Sequence, residues 1–98
     1  MNGTDQLKHA IESQHGGTAT HIQSVPVHES NKGRTVWNGA VQIFDLKDSP
    51  TGATRAYASS YGLHDGGRRM FAILHDGPVT SPREAVRAAI VAEQSARL

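Results

Sequence analysis

Six histidines, at positions 9, 15, 21, 28, 64 and 75, are the residues of this chain best suited to chemistry, because imidazole binds metals and exchanges protons near neutral pH. Their spacing builds no metal site. His21 and His28 stand an odd number of residues apart and face opposite ways on a regular strand, unless a bulge near Pro26 restores them to one side. His64 and His75 flank one hairpin, but a metal needs three or four ligands in a defined geometry. No metal is expected.

The tripeptide His-Asp-Gly occurs twice, as His64-Asp65-Gly66 and His75-Asp76-Gly77. Metal phosphohydrolases carry a His-Asp pair on helices with further ligands, whereas both copies here fall where turns are expected, so Asp-Gly turn chemistry accounts for them. The chain has no Gly-x-Ser-x-Gly elbow to activate a serine, and Ser59 and Ser60 read as packing residues on a strand. Gly16-Gly17 and Gly66-Gly67 stand alone, outside any dinucleotide or phosphate-loop pattern. No cofactor is expected, and the chain reads as a non-enzyme.

The remaining chemistry is recognition. Arg55, Arg68, Arg69, Arg83 and Arg87 occur near Trp37, Tyr57, Tyr61 and Phe71, a mixture that nucleic-acid-binding surfaces use for phosphate contact and base stacking. The charge balance opposes strong polyelectrolyte binding: 10 Lys and Arg against 9 Asp and Glu leave a net charge of +1 over 98 residues. With no cysteine, disulfides, thiolate zinc sites and cysteine nucleophiles are excluded. Met1 to Gln14 lacks the basic and apolar regions of a signal peptide, and no stretch approaches a membrane span, so a cytoplasmic, single-domain protein is expected.

These residues are positioned by six expected elements. Thr4 or Asp5 caps a helix through Gln14, with Leu7, Ala10 and Ile11 on one face and Gly16-Gly17 ending it. Thr20 to Glu29 reads as a strand, and Pro26, unable to donate a ladder bond, places it at an edge or on a bulge. A polar turn over Ser30 to Gly33 leads to the strongest strand, Thr35 to Leu46. Strands at Thr54 to Tyr61 and Arg69 to His75 follow, separated by an Asp65-Gly66 hairpin. Ser81, Pro82 and Glu84 form the start of a capped final helix whose apolar stripe is Val86, Ala89 and Ile90.

The order α-β-β-β-β-α implies an α+β fold, a two-layer sandwich in which a four-stranded antiparallel meander carries both helices on one face. The second strand has apolar residues on both sides: Trp37, Val41 and Ile43 on one, Val36, Ala40, Phe44 and Leu46 on the other. With both helices on one side, an apolar face is left open, and such a face marks a subunit interface or binding surface. In the next strand Ala56, Ala58 and Ser60 make a small face suited to close helix approach, opposite Arg55, Tyr57, Ser59 and Tyr61.

The following register is left open. A two-residue turn sets Tyr57 beside Leu74 and Tyr61 beside Met70, whereas a three-residue turn sets them beside His75 and Phe71. The second alternative gathers Arg55, Tyr57 and His75 on one surface.

Two resemblances add to this reading. The final helix from Ser81 to Leu98, following an antiparallel meander, resembles that of double-stranded-RNA-binding domains, although Pro82-Arg83-Glu84 stands where that family carries a lysine cluster. The runs His15-Gly16-Gly17, Val25-Pro26-Val27-His28-Glu29, Thr35 to Val41, Phe44-Asp45-Leu46 and Arg55-Ala56-Tyr57-Ala58 resemble those of small uncharacterised proteobacterial proteins. That likeness implies a bacterial single-domain protein and no activity.

The functional expectation is a non-catalytic interaction module. It forms a homodimer or binds a protein partner through the open sheet face, anchored by Trp37, Val41, Ile43 and Tyr57. The alternatives are a nucleic-acid-binding module using Arg55, Arg68 and Arg69 with Tyr57 or Tyr61, and a small-ligand protein or enzyme built on His75, Tyr57 and Arg55.

Overall fold

The computed structural model describes residues 3–62, 68–77 and 79–96. Helix α1 (Gly3–His15) precedes strands β1 (Thr18–Asn31), β2 (Arg34–Lys47), β3 (Arg55–Gly62) and β4 (Arg68–Leu74), and helix α2 (Pro82–Ala96) follows. The strands form one antiparallel sheet in the order β1-β2-β3-β4. The α+β class, the meander and the element order agree with the sequence.

The helices do not share a face. Leu7 and Ile11 of α1 pack on Phe44, Leu46, Ala56, Ala58 and Ala72. Ala85, Val86 and Ala89 of α2 pack instead with Val27, Trp37, Val41, Ile43, Tyr57 and Phe71. Residues of opposite parity on β2 therefore serve different helices, and the architecture is three layers, with the sheet in the middle. The expected two-layer sandwich is corrected for a physical reason visible in β2. An apolar set on each side of one strand is buried only if each side receives a cover, and one helix per face does this. The small residues Ala56, Ala58 and Ala72 give α1 the close approach read from the sequence.

Pro26 satisfies both alternatives offered for it. β1 is an edge strand, and a bulge at Ile22 interrupts its register. The hairpin from β1 to β2 closes through Lys32 and Gly33, both at positive φ (53° and 80°), as a two-residue turn between right-twisted strands requires. Asp76 and Val79 exchange backbone bonds of 3.1 Å across Gly77, so the second His-Asp-Gly is a turn. The first copy, and the Asp65-Gly66 turn with it, lies outside the described residues.

Both helix ends are tied by carboxylates. Glu12 accepts from Lys8 Nζ at 2.7 Å and from the Ala19 N–H at 2.8 Å, fastening α1 to the start of β1. Glu84 N–H donates to Ser81 Oγ (3.2 Å), which is one half of the expected capping box; the returning bond comes from Thr80 rather than from the Ser81 amide, since Glu84 accepts from Thr80 Oγ1 (2.6 Å) and the Thr80 N–H (3.2 Å). The Lys8 bond, followed by the Ala19 amide, holds Glu12 below the ordinary carboxylate value of 4.5, and the Thr80 bonds do the same for Glu84. A depressed folded-state pKa gives stability that is present above the unfolded value and lost as pH falls through the folded one. Thermal melts should therefore lose midpoint as pH drops below 4.5, and Glu12→Gln with Glu84→Gln should flatten that acid limb.

Gly17 carries the turn from α1 into β1 at φ 77°, and a Cβ there would collide with the Lys47 carbonyl oxygen and lie 3.0 Å from Ser49 N. Gly33 has nearly the same φ, 80°, with nothing within 4 Å. Gly33→Ala should cost about 1 kcal/mol from backbone strain alone, and Gly17→Ala at least about 2 kcal/mol, as denaturant unfolding would measure.

Candidate functional site

The residues singled out for recognition separate into groups. Trp37, Val41, Ile43 and Tyr57 are all buried beneath α2, so the apolar anchors expected on an open face belong to the core. The Trp37 ring lies over Gly39, where a Cβ would come within 3.2 Å of it, and reaches Phe71 with ring centroids 6.3 Å apart. The arginines of the nucleic-acid reading are dispersed. Arg55 lies next to His75 at one end of the β3–β4 pair, whereas Arg69 pairs with Tyr61 and Arg68 with Gly62 at the other. Six strand residues separate the two ends, about 20 Å. The side chains of Tyr61 and Arg68 lie outside the described residues.

The third group is assembled. The β3–β4 register pairs Tyr57 with Ile73, two residues beyond the three-residue alternative and of the same parity, so Arg55, Tyr57 and His75 do share a face. The Tyr57 hydroxyl lies 2.6 Å from His75 Nδ1. Burial pushes the Tyr57 phenol above its ordinary value, with the Arg55 guanidinium pulling the other way. The phenol therefore keeps its proton, and the hydroxyl and Nδ1 share one hydrogen bond. This bond satisfies the polar end of a core tyrosine.

The other described histidines are engaged separately. His15 Nε2 donates to the Ala72 carbonyl at 2.8 Å, His21 lies 2.7 Å from Gln42 Oε1, and His28 lies 3.4 Å from Asn38 Oδ1. The bulge at Ile22 does return His21 and His28 to one face. They still stand opposite Phe44 and Asn38, about 20 Å apart along β2. Among the described residues, no three His, Asp or Glu side chains gather as a metal site.

A feature the sequence did not signal lies between β2 and β3. The two strands pair only over Gln42–Ala58, Ile43–Tyr57, Phe44–Ala56 and Asp45–Arg55, although β2 begins at Arg34 and β3 continues to Gly62. Buried Ser59 ends the ladder. Its hydroxyl donates to the Ala40 carbonyl at 2.8 Å, at the position where the next ladder bond would fall. Beyond that point Asn38, Gly39 and Ala40 are exposed, although they belong to an interior strand of the sheet.

The ladder's phase says which backbone groups are open. Leu46 N–H donates to Thr54 O at 2.9 Å, so between Trp37 and Leu46 the even-numbered residues of β2 turn their backbone groups toward β3 and the odd-numbered ones toward β1, and a bulge at Val36 reverses the phase nearer the hairpin. Asn38 accordingly presents its N–H and carbonyl on the side where β3 has departed. The outer edges are blunted. On β1, Pro26 has no N–H to offer and Arg83 donates to the His28 carbonyl at 3.1 Å; on β4, His15 occupies the Ala72 carbonyl. Among the described residues, no backbone pairing is made to the inner edge of β2 from Arg34 to Gly39.

Val41→Glu should unfold the chain rather than divide a dimer, because Val41 is fully buried and a lone carboxylate there is unpaired. Tyr57→Phe should cost about 1 kcal/mol in denaturant unfolding and shift the His75 ring-nitrogen resonances in long-range proton–nitrogen spectra, because it removes the hydroxyl from Nδ1.

No helix among the described residues is long and apolar enough to cross a membrane. No protein-family model matches the chain, and neither a curated protein nor a solved structure does so, which leaves the geometry of the site to indicate what the protein does.

Proposed function

We propose that the chain is a non-catalytic interaction module that receives an extended segment of a partner protein at the inner edge of β2. The observation that carries this reading is the early end of the β2–β3 ladder, which exposes Asn38 to Ala40 in an interior strand. An added strand supplies the missing backbone partners, each ladder bond contributing about 1 kcal/mol net. The covered faces favour an edge over a face as the contact, since both apolar sides of β2 are already taken by the two helices. The Arg55, Tyr57 and His75 group supports packing rather than catalysis, because the phenol and Nδ1 satisfy one another.

Asn38→Pro is the natural probe. Its lost N–H points away from β1, so the β1–β2 ladder keeps its bonds while the inner edge loses a donor. A library of random linear peptides panned against the purified chain should yield binders of varied sequence that Asn38→Pro no longer holds. Solution mass by light scattering should read one chain per particle. The reading fails if no peptide binds, if the binders ignore Asn38→Pro, or if the chain is a dimer that Asn38→Pro converts to a monomer, which would make a second copy the occupant.

A further inference from the structure

We draw no further inference here: the strongest candidate, the side-chain cluster of Asp45, Arg55, Tyr57 and His75 at the end of the sheet from which the chain leads into α2, belongs to the packing already described, since the Tyr57 hydroxyl lies 2.6 Å from His75 Nδ1, Arg55 pairs with Asp45 at 4.0 Å, and nothing in the structure shows what ligand would replace either contact.

Discussion

Burying both sides of β2 is the constraint on which this structure depends. Val41 and Ile43 point one way and Phe44 and Leu46 the other, and all four are removed from water. A sheet with both helices stacked on one side would leave half of that apolar surface exposed, at a cost of roughly 25 cal/mol per Å². The chain places α1 and α2 at opposite ends of the sequence and on opposite faces of the sheet, so each apolar set acquires its own cover. The aromatic side of β3 goes to α2, and its alanine side to α1.

Covering both faces moves the available recognition surface to the edges of the sheet. The outer edges of β1 and β4 and the inner edge of β2 are treated differently. The outer edge of β1 is interrupted by Pro26 and by Arg83 on the His28 carbonyl, and that of β4 by His15 on the Ala72 carbonyl. Side chains from each helix thus serve a second purpose, since they limit uncontrolled strand pairing. The inner edge of β2 has no such guard among the described residues, and it opens next to the bond from the Ser59 hydroxyl to the Ala40 carbonyl.

The same helices are held to the sheet by polar ties as well as by packing. Glu29, 8% exposed, joins β1 to α2 through two arginines, and Glu12 joins α1 to the first residues of β1. A buried carboxylate contributes little net stability against an apolar replacement, yet it tolerates only arrangements that keep its partners in place. Glu29 on β1 and Arg83 and Arg87 on α2 therefore fix where α2 lies across the sheet, which in turn sets Ala85, Val86 and Ala89 over Trp37 and Val41.

Local chemistry in the sequence determined the elements and their ends. The capping set Ser81, Pro82 and Glu84, the Gly16-Gly17 break and the alternation through Val41 to Leu46 act over a few residues, so helix, turn and strand were legible from them. Pro26 likewise announced an edge or bulge, because its missing N–H is a property of the residue itself. Tertiary structure alone decided which face each helix covers, the two-residue shift that pairs Tyr57 with Ile73, and the point where β2 and β3 part. Those depend on contacts between residues far apart in the chain. Trp37 and Val41 were legible as apolar, but their role as core rather than surface was set by α2, more than forty residues downstream. The open edge left no signal in residue types because its working groups are backbone amides and carbonyls, which every residue but proline carries alike.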